Sequence, residues 1–193
     1  MTRPPLILAS TSRYRRALLD RLQLKYEAIP PVCDEHAFDD LPVEERVVKL
    51  AVEKARSVAA DRPDAVVIGS DQIPEVGGVA LEKPGTRARA MESLMLLAGR
   101  THRLVTGVAV VAGGRVESDV DIVELRMRPL SRGEIEAYVD REDVLDCAGA
   151  FKTEGLGIAL FEEIRSLDPS SGIGLPLIKL TKLLQRAGIP VLP

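Results

Sequence analysis

Tryptophan is absent, and three phenylalanines with three tyrosines hold the aromatic content to 3% of 193 residues. Stacking unpaired bases takes more aromatic surface than that, so a single-strand-binding module is disfavoured. Basic charge is not in surplus either: 26 Lys and Arg stand against 29 Asp and Glu, a net charge of −3. Neither nucleic acid nor a membrane surface is therefore expected as the main partner. The two cysteines, Cys33 and Cys147, match no zinc spacing and are expected as small, half-buried thiols. The two histidines, His36 and His102, complete no Ser/His/Asp or metal pattern and read as incidental. No apolar run approaches the ~20 residues of a membrane span. The opening Met1-Thr2-Arg3-Pro4 lacks a signal-peptide core of ~7–15 residues, so a cytoplasmic protein with reduced thiols is expected.

What remains is ordinary for a globular protein, 46% hydrophobic and 28% charged. The length suits one domain, residues 1–193, with two lobes. Pro4-Pro5 introduces Leu6-Ile7-Leu8-Ala9, a short apolar strand, and Ser10-Thr11-Ser12 then offers N-cap chemistry for a helix through Leu22. A second strand is expected over 25–29 and a helix over 42–60, where Val47, Val48, Leu50, Ala51, Ala55 and Val58 recur at helical spacing. Ala65-Val66-Val67-Ile68 reads as a strand ending in Gly69-Ser70-Asp71-Gln72, followed by a hairpin around Gly77-Gly78. A helix over 86–98, a second hairpin around Gly113-Gly114, a capping box at Ser131 with Glu134, and a helix over 175–187 complete the pattern. Hairpins alternating with helical crossovers predict an α/β fold with a mixed central sheet flanked by helices.

Three groups of residues could carry chemistry. Ser10 and Ser12 with Arg13, Arg15 and Arg16 combine hydroxyls, helix-start N–H donors and guanidinium forks, a set suited to polyphosphate. The same residues also fit an N-cap followed by a solvated basic face, and no Walker loop is present. Asp71, placed at the end of an apolar strand, could bind a divalent cation or take a proton from water attacking phosphorus. A turn-stabilising aspartate would look the same. Glu35 and Glu82 are candidate co-ligands, and Lys54 and Lys83 are candidate phosphate contacts, Lys83 being stiffened by Pro84.

Taken in order, these pieces resemble the Maf family. The opening Ala9-Ser10-Thr11-Ser12-Arg13-Tyr14-Arg15 matches its Ala-Ser-x-Ser-x-x-Arg motif. Asp34-Glu35, Glu53-Lys54-Ala55, Gly69-Ser70-Asp71, Lys83-Pro84, Ala148-Gly149, Glu154-Gly155-Leu156-Gly157 and Gly174-Leu175-Pro176-Leu177 follow in sequence. Many members have Pro-Arg-Arg where this chain has Arg13-Tyr14-Arg15. Tyr14, Gln72 and Glu154 resemble the branch that hydrolyses 7-methyl-GTP rather than the branch acting on dTTP and UTP.

The resemblance implies two lobes with a cleft between them, as in Maf and ITPase-like folds. It implies cleavage between the α- and β-phosphates, with Asp71 as proton acceptor and a divalent ion, Mg2+ or Mn2+, held by Asp71 and Glu35. Ser10, Ser12, Arg15, Lys54 and Lys83 would position the phosphates, while Tyr14, Gln72 and Glu154 would choose the base. A tyrosine face suits the cationic ring of a methylated guanine, a carboxylate suits the guanine N–H edge, and Gln72 offers both a donor and an acceptor. The role implied is removal of modified nucleotides. A dTTP/UTP pyrophosphatase and a non-hydrolysing nucleotide sensor acting on septum formation are the alternatives. Met and Leu residues of the 91–97 helix could form a homodimer face, though core packing is the favoured reading of them.

Overall fold

A computed structural model of the chain describes residues 4–192. Met1-Thr2-Arg3, part of the stretch read as lacking a signal-peptide core, lie outside the described residues, as does Pro193. Strand β1 (Leu6–Ala9) is buried along its length, and Ser12 caps helix α1 (Arg13–Asp20) by accepting from the Arg15 N–H at 3.3 Å. The helix ends two residues short of Leu22. There the backbone tightens, with the Arg21 and Leu22 N–H groups bonding Leu18 and Leu19, and Gln23 turns to φ +54°.

Strand β2 (Glu27–Ile29) and strand β3 (Val66–Val76) both pair parallel with β1. Between them runs helix α2 (Val43–Ala59), which buries Val47, Leu50, Ala51, Lys54, Ala55 and Val58 along one stripe. Strand β4 (Val79–Ala80) closes an antiparallel hairpin on β3 across Gly77-Gly78. Helix α3 (Arg87–Leu97) starts at its Thr86 cap. Strands β5 (Thr101–Ala112) and β6 (Arg115–Met127) flank the Gly113-Gly114 turn. The Ser131 and Glu134 capping box opens helix α4 (Arg132–Val139) as the sequence indicates. Strand β7 (Phe161–Arg165) pairs antiparallel with β6, and helix α5 (Leu177–Arg186) ends the chain's regular structure. The sheet order is β2-β1-β3-β5-β6-β7, with β4 on β3, so the sheet is mixed and the fold is α/β. No helix among the described residues is long and apolar enough to cross a membrane.

The chain forms two compact units. The first contains residues up to 72, 106–121 and from 168 onward. Its strands alternate between two apolar clusters: Leu6 and Leu8 join Leu18, Leu19, Leu180 and Leu184, whereas Ile7 and Ala9 join Ala55 and Val58. The period of two puts α1 and α5 with one face of the sheet and α2 with the other. The second unit, residues 73–105 and 122–167, has its own core in which Met91, Leu94 and Leu97 meet Leu125, Ile135 and Tyr138.

One boundary differs from expectation. The apolar run does not end at Ile68; β3 continues through Gly69-Ser70-Asp71-Gln72 to Val76, so Asp71 lies inside a strand rather than at its end. Gly69 invites the reading of a stop, but its role is clearance. A Cβ there would collide with the Ala51 carbonyl oxygen of α2, and a Cβ at Gly107 on β5 would collide with the Val47 carbonyl. Two glycines on adjacent strands thus let the α2 backbone lie directly on the sheet.

Candidate active site

That close approach brings a lysine into the apolar stripe of α2. Lys54 follows Leu50 by four residues and Ala51 by three, so it points the same way they do. Its ammonium donates to Asp71 Oδ1 at 2.7 Å and to Glu35 Oε1 at 2.7 Å. Lys54 and Asp71 are both buried, with side chains 8% and 11% exposed. Burial alone would lower the lysine's pKa, but attraction to Asp71 and hydrogen bonds to both carboxylates outweigh it and the net shift is upward. The group stays protonated. Asp71 Oδ2 accepts no hydrogen bond among the described residues, which leaves it open to a water or a cation.

Strand β1 runs beside β3 with Leu8 opposite Ile68, so Ser10 and Ser70-Asp71 leave that pair in the same direction. Ser10 is buried; its Oγ accepts from the Ser12 N–H at 3.1 Å, and Ser12 Oγ accepts from the Arg15 N–H. Neither hydroxyl donates to a protein acceptor among the described residues, so each keeps its proton for an anion. Arg15 donates through Nε to the Gly174 carbonyl at 2.9 Å. Burial lowers its pKa while Asp71 and Glu35 counteract the loss, placing the guanidinium in the field of both carboxylates. The Gly174 carbonyl also accepts from Ser70 Oγ at 3.0 Å, so one backbone oxygen ties α1, β3 and the 168–174 loop together.

Gln72 is only half of what the sequence suggested. Its Nε2 donates to Thr106 Oγ1 and to the Ser171 carbonyl, both at 2.8 Å. The donor side is spent inside the protein, so Gln72 offers an acceptor, Oε1, and no donor. Tyr14 carries a cation already: the Arg13 guanidinium stands 4.9 Å from its ring centroid and donates to its Oη at 2.8 Å. Sequence reasoning missed Thr106 and Ser171. A lone hydroxyl in the apolar Val105-Thr106-Gly107-Val108 run was the available signal.

Ser10, Ser12, Tyr14, Arg15, Glu35, Lys54, Asp71 and Gln72 all belong to the first unit. Lys83, Glu82 and Glu154 belong to the second, and all three are exposed. Lys83 has no hydrogen bond or ion pair among the described residues. Glu154 sits in a loop held by Glu142, which accepts from the Leu156 N–H at 2.8 Å and from Lys152 Nζ at 3.4 Å. His36 is exposed and pairs with Asp39, whereas His102 is buried with its ring 5.3 Å from that of Phe151. Cys33 and Cys147 are half-buried and form no disulfide among the described residues. On α3, Met91, Leu94 and Leu97 are buried in the core, while Met95 and Leu96 are exposed.

No cluster of three or more His, Cys, Asp or Glu side chains suited to a metal occurs among the described residues. One oxygen each of Asp71 and Glu35 is taken by the Lys54 ammonium, so a Mg2+ ion would have to use their other oxygens together with waters and substrate phosphates.

The profile of a family described as Maf-like protein matches residues 5–187. A protein of Xanthomonas axonopodis pv. citri named 7-methyl-GTP pyrophosphatase is 50% identical over 188 residues, covering 97% of this chain and 99% of its own. A protein of the same name from Alkalilimnicola ehrlichii is 50% identical over 192 residues, covering 98% and 96%. The solved structure of the Staphylococcus aureus Ham1 protein is a weaker match, with TM-score 0.45, 17% identity, and 65% and 72% of the two chains covered.

Proposed function

The chain belongs to the Maf family, and on that premise we propose that it is a nucleotide pyrophosphatase acting on 7-methyl-GTP. The observation that carries the reading is Asp71, buried, ionically tied to Lys54 through one oxygen and open through the other. Water attacks the α-phosphorus as the bond to the bridging oxygen breaks, giving 7-methyl-GMP and pyrophosphate, and Asp71 Oδ2 accepts the water proton. Ser10, Ser12 and Arg15 hold phosphate oxygens at the start of α1, where N–H groups and the helix dipole favour anions. Lys54 holds Asp71 in place and offsets charge that accumulates on the phosphates. A divalent cation, where bound, would be held by Asp71 and Glu35 and would supply Lewis-acid neutralisation of phosphate charge. The substrate assignment rests on the names of relatives about 50% identical over nearly the whole chain.

The test is a panel of nucleoside triphosphates, including 7-methyl-GTP, dTTP, UTP and GTP, assayed for pyrophosphate with Mg2+ or Mn2+. The expected result is highest kcat/KM on 7-methyl-GTP. A preference for dTTP or UTP refutes the base assignment, and tight binding without pyrophosphate release under any metal refutes the enzyme.

A further inference from the structure

Gln72 can meet a ligand in only one sense, and the reason lies in two residues that do not belong to the nucleotide set above. The Ser171 carbonyl is an acceptor with no proton to give, so the part of the Gln72 side chain facing it at 2.8 Å must be the NH2 group. The second amide proton goes to Thr106 Oγ1, also at 2.8 Å. Thr106 spends its own hydroxyl proton on the same Ser171 carbonyl, at 3.3 Å, which leaves its lone pairs to accept from Gln72. Thr106 and Ser171 are both fully buried. Turning the amide over would set Oε1 against the Ser171 oxygen and cost two hydrogen bonds in a dry setting. Oε1 receives no donor among the described residues, so the acceptor is the only polar function that Gln72 has left.

The loop that supplies the Ser171 carbonyl is itself tied down. The buried Asp168 accepts from the Ser170 N–H at 2.9 Å, the Ser170 hydroxyl at 2.5 Å, and the Ile178 N–H at 2.7 Å. We propose that Thr106 is the positioning residue for Gln72, locking its amide so that the site selects a nucleotide group that donates a hydrogen bond and repels one that accepts. This rests on the nucleotide reading given above, and it adds the sense of the contact: an N–H or O–H of the substrate against Oε1.

The experiment is a double-mutant cycle on 7-methyl-GTP hydrolysis with Thr106→Val, Thr106→Ser, Gln72→Met and the Gln72→Met/Thr106→Val pair. Thr106→Val is expected to lower kcat/KM roughly tenfold, mainly through KM, because a loosened amide no longer presents its oxygen. Thr106→Ser keeps the hydroxyl and should return to within about twofold of the parent. In the Gln72→Met background the valine should add nothing, since the group it acts through is gone. A second readout needs no turnover: the Gln72 side-chain NH2 resonances, assigned by their loss in Gln72→Met, should be protected from exchange in the parent protein. Unprotected NH2 protons in the parent overturn the proposal even if Thr106→Val does not fold. So do effects of Thr106→Val and Gln72→Met that simply multiply. If 7-methyl-GTP is not cleaved but another nucleotide is, the base assignment fails, and the cycle on that nucleotide decides the role of Thr106 separately.

Discussion

Lys54 and Asp71, seventeen residues apart in sequence, share a 2.7 Å hydrogen-bonded ion pair inside the first unit, and Glu35 shares the same ammonium. The pair separates two roles that a single carboxylate would otherwise have to combine. Oδ1 is committed to holding the side chain, and Oδ2 is left for chemistry. Substituting either partner should therefore give a different kind of loss.

Asp71→Asn retains size and an oxygen facing Lys54, and Glu35 still pairs with the ammonium. Folding should be close to normal, while kcat falls by roughly 10²–10⁴, the share general-base catalysis supplies. Thermal melting and pyrophosphate release, measured on the same preparation with metal present, check both halves. Near-parental turnover would falsify the proton-acceptor role.

Lys54→Met leaves a buried carboxylate without its partner. Its cost should appear in stability as well as in rate, at about 3 kcal/mol in urea unfolding. A variant as stable as the parent would mean that the pair is solvated in a way its burial does not suggest.

Gly107→Ala and Gly69→Ala test the close approach of α2. Each methyl would meet a helix carbonyl rather than a flexible side chain, so the helix must move away from the sheet. A loss of about 1–3 kcal/mol is expected from the overpacking, together with lower activity as Lys54 is carried away from Asp71. Alanine variants with parental stability and rate would show that the helix has slack there.

His102 gives a pH dependence in the second unit. Burial pushes its imidazole down from 6.5 to about 4, although contact with the Arg100 backbone opposes the shift. The folded protein therefore keeps it neutral at pH values where the unfolded chain protonates it. That contribution is complete above about pH 6.5 and is lost as pH falls toward 4, amounting to about 3 kcal/mol at most. Urea titrations across that window should show a shallower acid loss for His102→Leu than for the parent; equal slopes would assign the loss to carboxylates instead.

Tyr14→Arg with Gln72→Thr should move preference toward pyrimidines in the same nucleotide panel. The exchange removes both the aromatic face and the locked acceptor. An unchanged ranking of substrates would place base choice on other residues.

The sequence by itself determined what depends on neighbours along the chain. The Ser12 and Thr86 caps, the capping box of Ser131 with Glu134, and the hairpins at Gly77-Gly78 and Gly113-Gly114 are short-range hydrogen-bond and dihedral effects, and each was legible. The ordered motifs also singled out Asp71 and Lys54. Lys54 could even have been recognised by spacing, as a charge four residues after Leu50 on an apolar stripe. Tertiary structure alone decided the rest. It ran β3 straight through Gly69, because that glycine answers to the Ala51 carbonyl of another element and not to its own neighbours. It paired Lys54 with both Asp71 and Glu35, and it used up the donors of Gln72 on Thr106 and Ser171, which lie 34 and 99 residues away. Contacts of that length are set by strand register and by how closely a helix can approach a sheet. Neither quantity is written in any local pattern.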